Sequence, residues 1–309
     1  MEQKLITIIG SYNVGLFLKG QKIPSVGETV IGDIFYEGGG GKGSNQAIAA
    51  SLLGAKTYFI GRIGNDKYGK DALDMYKRFG ISTKMVKIDD SIHTGISVII
   101  VDKYGNNSIC VVPGANFKLS KEDIDNVLQN IKDSWIVGFQ LENDLSVVKY
   151  AIKKVYNMGI KTILDPAPAI HLPEDIYQYI WCIKPNETEA AILTGIEVKD
   201  IASAEKAGKW FVKKGVNIII ITLGDQGSVL VNNKKVKHFP APKVKAIDST
   251  GAGDCFSGAL IAALSKDKTI DEAIDFANCA AAISVTRQGV IESLPCLSEV
   301  KSMMDFNKK

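Results

Sequence analysis

The chain has 309 residues, of which 46% are hydrophobic and 23% are charged, a composition typical of a globular protein with ample core material. Its net charge of +3, from 37 basic and 34 acidic residues, is too balanced to predict a nucleic-acid or membrane surface. No apolar run reaches the roughly 18 residues of a membrane span, and residues 1–10 lack the basic and apolar regions of a signal peptide.

The cysteines and histidines are scattered along the chain. The five cysteines form no Cys-x-x-Cys pair, and the three histidines are far apart in sequence. This pattern argues against a zinc site or a disulfide framework and predicts a reduced, cytoplasmic protein.

The first third of the chain mixes buried strands, helices and two β-rich intervals. The predicted elements are a buried strand at 5–10, helices at 45–53 and 69–79, and a strand at 58–61. The β-rich intervals, 12–36 and 94–113, do not fit this alternation, and the second contains a hairpin about the turn 104–107. We expect them to leave the main layer and form a small sheet of their own.

From about residue 119 onward, helices and strands alternate regularly. Helices are predicted at 121–131, 146–158, 187–193, 202–214 and 271–285, strands at 135–139, 162–165, 181–184 and 217–222, and a hairpin at 227–231 and 235–239. Such alternation predicts an α/β fold, with a mostly parallel central sheet and helices on both faces.

The stretch 248–258 (DSTGAGDCFSG) is the strongest candidate for chemistry. Glycines allow a tight turn there, and the apolar spacing that follows predicts a helix beginning near Ala252. The unpaired amides at a helix N-terminus attract anions, phosphate above all. Asp254 lies in the same turn, where it could serve as a general base. The alternative is an ordinary first-turn aspartate, favoured by the helix dipole. The neighbouring Cys255 is expected to pack under the loop rather than to react.

Two familiar phosphate motifs are absent. The third position of a Gly-x-Gly-x-x-Gly fingerprint is Phe256 here, so a nicotinamide-dependent oxidoreductase is not predicted. The run 38–45 (GGGGKGSN) is not a Walker loop, because Gly43 rather than Ser or Thr follows Lys42.

Polar clusters follow five predicted strands. They lie at 11–13, 140–143, 165–168, 184–189 and 222–227. Ligands of open parallel sheets bind beyond the carboxyl ends of the strands, so these clusters predict a site at one edge. Asn186 and Glu189 also have the spacing of a helix capping box, which is the alternative explanation for that pair.

Together, 40–47 (GGKGSNQA), 186–189 (NETE) and 248–254 (DSTGAGD) resemble the ribokinase branch of the PfkB-type carbohydrate kinases. The resemblance extends from the first strand to about Pro295. It implies a single α/β domain over 1–309, a ribokinase-like three-layer sandwich with a small β lid from about 12–36 and 94–113. In this family two lids often pair, so a homodimer is expected. The implied partners are a small sugar and ATP, with Mg²⁺ and an activating K⁺, and no nucleic acid or membrane.

The resemblance also implies roles for individual residues. Asp254 would be the catalytic base, and Gly251, Ala252 and Gly253 the anion hole. The implied sugar-binding residues are Asn13, Gly41, Lys42, Asn45 and Glu142, together with Asp254 itself. Asn186 would help to bind the nucleotide phosphates, Glu189 would bind Mg²⁺ through water, and the other implied nucleotide-binding residues are Thr222, Gly224, Gly227 and Asn278. The implied monovalent-cation site comprises Asp248, Thr250, Ser284, Arg287, Gly289 and Ser293.

One position departs from the family pattern. Ribokinases usually carry an aspartate two residues after the asparagine of the first strand end, where this chain has Gly15. The expected activity is ATP-dependent phosphorylation of a primary hydroxyl, with ribose to ribose 5-phosphate as the leading reaction. Because that carboxylate is missing, 2-deoxyribose, a ketohexose or a nucleoside stays open as the acceptor. A non-catalytic binding protein on the same fold is disfavoured by the intact Asp254.

Overall fold

A computed structural model describes residues 4–307 of the chain. Its strands are β1 (Leu5–Ile9), β2 (Asn13–Gly20), β3 (Gly32–Gly40), β4 (Lys56–Gly64), β5 (Ser82–Asp89), β6 (Gly95–Val101), β7 (Asn107–Val112), β8 (Ser134–Phe139), β9 (Lys161–Leu164), β10 (Cys182–Ile183), β11 (Ile218–Thr222), β12 (Ser228–Val231) and β13 (Val236–Phe239). Its helices are α1 (Lys42–Leu52), α2 (Lys67–Arg78), α3 (Lys121–Val127), α4 (Leu145–Asn157), α5 (Glu187–Thr194), α6 (Ile201–Lys213), α7 (Ala252–Ser265), α8 (Ile270–Ser284) and α9 (Leu297–Phe306).

Within residues 4–307, nine strands form the central sheet. Their spatial order is β13-β12-β11-β10-β9-β8-β1-β4-β5. The strands from β11 to β5 in this order pair in parallel, whereas β12 and β13 form an antiparallel hairpin at one edge. The carboxyl ends of the parallel strands therefore meet at one edge of the sheet, as the sequence predicts.

Two apolar layers hold helices against the two faces of this sheet. Successive residues of β11 alternate between them: Ile220 belongs to the layer that includes α1, α2, α7, α8 and α9, while Ile219 and Ile221 belong to the layer that includes α3, α4, α5 and α6. Burial of both faces explains why the parallel strands are continuous apolar runs. The α/β prediction with helices on both faces is confirmed.

The two β-rich intervals form a separate sheet, which we call the small sheet, with the order β3-β2-β6-β7. β2 pairs in parallel with β6 and antiparallel with β3, and β6 and β7 form the predicted hairpin. β3 continues to Gly40, beyond the predicted boundary at residue 36. The small sheet therefore reaches directly into the N-terminus of α1.

Several elements differ from the predictions. β5 at the sheet edge and α9 after the last strand were not predicted. The first helix begins at Lys42 rather than at Asn45, and α3 ends at Val127 and continues as a 3₁₀ turn. No helix in the described part of the chain is long and apolar enough to cross a bilayer.

Candidate active site

Helix α7 begins at Ala252, as predicted, and its first turn faces the carboxyl edge of the sheet. Gly251 caps it in the left-handed conformation, with φ of 77°, and a Cβ there would lie 2.7 Å from Val290. Only glycine tolerates both the backbone angle and the crowding. The amide of Cys255 bonds back to the Gly251 carbonyl and that of Ala252 to the Ser249 carbonyl at 3.2 Å, whereas the amides of Gly253 and Asp254 lie too early in the helix to have helical partners. The segment therefore has the form of an anion-binding helix N-terminus.

Asp254, in this first turn, is buried, and amide groups hold its carboxylate. Asn45 Nδ2 donates to Oδ2 at 2.8 Å, and Gln46 Nε2 lies 3.3 Å from Oδ1. Burial raises the pKa of Asp254; the charge of Lys42 opposes this shift and that of Asp165 adds to it. A carboxylate held by neutral donors with a raised pKa suits proton acceptance better than one neutralised in an ion pair.

The residues implied for sugar binding line a single cavity of about 590 Å³ between the small sheet and α7. They are Asn13, Gly41, Lys42, Asn45, Glu142 and Asp254. Gly15 and Gly251 also line it. Positions far apart in sequence thus converge on one space.

Glu142 organises the polar end of this cavity. Its Oε2 accepts hydrogen bonds from Ser11 Oγ at 2.5 Å and from the Lys42 main-chain amide at 2.8 Å, and it lies 3.5 Å from Asn13 Nδ2. The Lys42 ammonium has a pKa raised by the negative charge of Asp254, above the opposing effect of burial. Lys42 is therefore a stable cation beside the carboxylate.

Asn186 and Glu189 do form a capping box at the start of α5. Asn186 Oδ1 accepts from the Glu189 amide at 2.8 Å, and Glu189 Oε2 accepts from the Asn186 amide at 2.9 Å. Burial and the charge of Asp165 raise the pKa of Glu189. Among the described residues, no group of three His, Cys, Asp or Glu side chains could enclose a metal ion. A single carboxylate, that of Glu189, still suits Mg²⁺, because this ion typically keeps several waters and takes one or two carboxylates plus substrate phosphates.

The residues implied for nucleotide binding lie near the β11–β12 edge. Asn186 forms an isolated parallel bridge with Thr222, at the end of β11. Gly224 begins a 3₁₀ turn, and a Cβ on Gly227, with φ of 93°, would lie 2.1 Å from the Phe239 carbonyl oxygen. Asn278 Nδ2 lies 3.3 Å from the same oxygen and so ties α8 to the hairpin.

Asp248 connects two of the segments implied for a monovalent cation. Its Oδ1 accepts from the Thr250 amide and hydroxyl at 2.9 and 2.6 Å, and its Oδ2 accepts from the Gly289 amide at 3.1 Å. Burial acts against ionisation, but these hydrogen bonds outweigh it and lower the pKa of Asp248. The other implied side chains have local partners: Ser284 and Ser293 donate to main-chain carbonyls, and Arg287 pairs with Glu299.

Sequence reasoning missed four residues that support the site. Asn116 donates to Asn13 Oδ1 at 2.9 Å and so fixes its amide. Gln46, Asp165 and Lys184 form a buried network behind Asp254. Asp165 and Lys184 lie at polar strand ends, which was the available signal, whereas nothing local in the sequence distinguishes Gln46 or Asn116.

Cys255 matches its expected packing role. It is fully buried, and that burial raises its pKa to about 12. A thiol in this environment is not a nucleophile at neutral pH.

The family described as pfkB family carbohydrate kinase matches residues 3–297. The chain belongs to the pfkB family of carbohydrate kinases. Among this family, the ribokinase of Haemophilus influenzae is 39% identical, covering 98% of this chain and 99% of the relative. The deoxyribokinase of Salmonella typhimurium is 34% identical, covering 98% and 99%. The structure of Arabidopsis thaliana ribokinase complexed with ribose and ATP superposes with a TM-score of 0.91 at 31% identity, covering 99% and 100%.

Membership of the pfkB family makes the protein a phosphotransferase with an alcohol acceptor that uses ATP. The predicted fold is confirmed by the same comparison, since the superposition covers 99% of this chain at a TM-score of 0.91.

Proposed function

We propose that the protein transfers the γ-phosphoryl group of ATP to the C5 hydroxyl of ribose. The observation that carries this proposal is Asp254, at the amide-lined N-terminus of α7, sharing one cavity with Asn13, Lys42 and Glu142. The relatives named ribokinase support ribose as the acceptor.

In the proposed reaction, the oxygen of the C5 hydroxyl attacks the γ-phosphorus while Asp254 accepts the proton of that hydroxyl. The bond between that phosphorus and the β–γ bridging oxygen breaks, so that ribose 5-phosphate and ADP are the products. Phosphoryl transfer passes through a loose transition state, and positioning and charge stabilisation therefore provide most of the catalysis. The amides of Gly251, Ala252 and Gly253 would supply fixed donors where negative charge develops.

Other residues would hold the two substrates in place. Asn13, Gly41, Lys42, Asn45 and Glu142 would orient the sugar, and Thr222, Gly224, Gly227 and Asn278 would contact ATP on the β11–β12 side. Mg²⁺, when bound with ATP, would neutralise phosphate charge, and Asn186 and Glu189 would hold it through water. The small sheet would act as a lid that excludes water, the competing phosphoryl acceptor.

Three broader features belong to the same proposal. K⁺ would bind main-chain oxygens near Asp248 and order the loop before α7. Two small sheets would pair in a homodimer, supported by the exposure of Phe35 (60%) and of its cross-strand partner Leu18 (38%) on this sheet. The protein would act in the cytoplasm, where ATP and reduced thiols are available.

A second acceptor, 2-deoxyribose, is favoured by a specific observation. The carboxylate that would hold two ring hydroxyls is absent at Gly15, and a relative named deoxyribokinase matches over the whole chain. Because 2-deoxyribose has one hydroxyl fewer than ribose, it loses fewer hydrogen bonds when the carboxylate at this position is missing.

A coupled ADP-release assay over pentoses, 2-deoxyribose, ketohexoses and nucleosides tests the proposed function. We expect ribose or 2-deoxyribose to give the highest kcat/KM, and the Asp254→Asn variant to turn over the same panel on the order of 10²–10⁴-fold more slowly. Preferred turnover of a nucleoside or a hexose would overturn the proposed acceptor, and no turnover of any sugar would overturn the proposed reaction.

A further inference from the structure

A buried ion pair lies directly behind the proposed catalytic base. Lys184 Nζ is 2.8 Å from Asp165 Oδ2, and the two side chains are only 4% and 3% exposed. They follow the neighbouring parallel strands β10 and β9 at the carboxyl edge of the sheet. The free-energy cost of removing two charged groups from water offsets most of their Coulomb attraction. A buried ion pair is therefore weak evidence that the pair stabilises the fold.

The pair is connected to the reacting groups on both sides. Asp165 Oδ2 also accepts from Gln46 Nε2 at 3.0 Å and from Ser257 Oγ at 2.9 Å. The same Gln46 nitrogen lies 3.3 Å from Asp254 Oδ1, so one amide group spans the two carboxylates. Ser257 lies one turn after Asp254 on α7. Asp165 is therefore bonded both to Gln46, which contacts the Asp254 carboxylate, and to the helix that carries Asp254.

Lys184 contacts the main chain of the same turn. Its ammonium donates to the Gly253 carbonyl oxygen at 3.2 Å. That carbonyl and the Asp254 amide belong to one peptide group, and this amide is among those without a helical partner. A cation on the carbonyl polarises the peptide and strengthens its N–H as a donor, because hydrogen bonds in series reinforce one another.

We propose that Lys184 and Asp165 are a positioning pair for phosphoryl transfer, a proposal that rests on the proposed kinase function. Lys184 polarises the Gly253–Asp254 peptide toward the developing phosphate charge. Asp165 keeps that ammonium in place, orients the Asp254 carboxylate through Gln46, and anchors the N-terminal part of α7 through Ser257. Neither side chain touches the sugar or takes up its proton.

The test compares Lys184→Met with the double variant Asp165→Asn/Lys184→Met, in which no unpaired buried charge is left. We expect kcat to fall about 10- to 100-fold in both, somewhat less than for loss of a whole oxyanion donor. The sugar KM should change by less than about threefold, because ground-state sugar contacts are untouched. The matched control is Lys266→Met, since Lys266 donates to the Leu53 carbonyl at 2.8 Å at the far end of α7. It should keep the wild-type kcat.

The pH profile gives a second readout, which reports whether the two charges of the pair act on the Asp254 carboxylate. The charged groups facing Asp254 are Lys42 from α1, Asp165 after β9 and Lys184 after β10. Activity is lost as the pH falls through the Asp254 pKa. Removing the positive charge of Lys184 should therefore move the acid limb of kcat/KM to higher pH. Asp165→Asn, which removes a negative charge, should move it to lower pH.

The outcomes separate this inference from the proposed function. A wild-type protein without sugar kinase activity would overturn the proposed function itself. If the wild type is active but the folded double variant recovers wild-type kcat, the pair is structural and the inference is wrong. Shifts of the acid limb in the same direction for Lys184→Met and Asp165→Asn would also overturn it.

Discussion

Gly15 provides the sharpest prediction about acceptor choice. A glycine here would by itself leave open space beside the sugar, but the ring of Phe17 fills the space next to Gly15. A Cβ on Gly15 would lie 2.6 Å from Phe17 Cε2, and this ring stacks on Tyr36 with centroids 4.6 Å apart. An apolar aromatic edge therefore stands where a ribokinase would present a carboxylate to two hydroxyls.

The informative perturbation is Gly15→Asp in a Phe17→Ala background, with Phe17→Ala alone as the matched control. The ring must be removed first, because Gly15→Asp alone would force it off Tyr36, and an aromatic pair is worth about 0.5–1.5 kcal/mol. Hydrogen bonds to a charged acceptor contribute about 1.5–3 kcal/mol each. Because 2-deoxyribose can make one bond fewer than ribose, the preference for ribose should rise by roughly 10- to 150-fold at 1.36 kcal/mol per decade.

The assay is kcat/KM by coupled ADP release on ribose, 2-deoxyribose and a ketohexose. The ribose to 2-deoxyribose ratio should rise in the double variant over the Phe17→Ala control. An unchanged ratio, in a double variant whose thermal unfolding matches that of the control, would mean that position 15 does not face the sugar.

Four further predictions concern the base, the cation and the small sheet. Asp254→Asn should lower kcat on the order of 10²–10⁴-fold with little change in the sugar KM, because it removes general-base catalysis; wild-type turnover would contradict the assignment. Because burial raises the pKa of Asp254, the wild-type acid limb should lie above the range of an ordinary aspartate, and a limb at pH 4 or below, about the ordinary value, would argue against this base. Replacing K⁺ by a bulky organic cation at matched ionic strength should lower kcat, and this dependence should weaken in Asp248→Asn; equal rates in both cations would exclude activation. Phe35→Glu should convert a dimer into a monomer in light scattering, and a wild type that is already monomeric would refute pairing of the small sheets.

The sequence predicted correctly those features that depend on residues close to one another in the chain. The α7 N-terminus followed from glycines and apolar spacing, and the capping box at Asn186 followed from residue types three positions apart. β5 (STKMVKID) was missed because a sheet-edge strand lacks the continuous apolar run of its buried neighbours.

The predicted start of α1, at Asn45 rather than Lys42, was wrong because the glycines before Asn45 are typical of a loop. Gly43 is inside the helix, and a Cβ there would lie 2.7 Å from Gly10 Cα. Glycine is required at this position by close helix–strand packing, which only the three-dimensional arrangement reveals. The same limit applies to Gln46, whose contacts with Asp165 and Asp254 span 119 and 208 residues of sequence.

The two buried aspartates of the site differ in their partners, and this difference assigns their roles. Asp165 is paired with the Lys184 ammonium and accepts a hydroxyl and an amide, so its charge is compensated in place. Asp254 receives only neutral amides from Asn45 and Gln46, and burial raises its pKa. Two titratable groups whose environments differ in this way commonly divide the work of an active site between them. The carboxylate paired directly with an ammonium is suited to fixing geometry. The one bonded only to neutral amides, with Lys42 acting as a nearby charge, is suited to accepting a proton. Exchanging the partners, with a cation bonded to Asp254 instead, would lower its proton affinity and weaken it as a base.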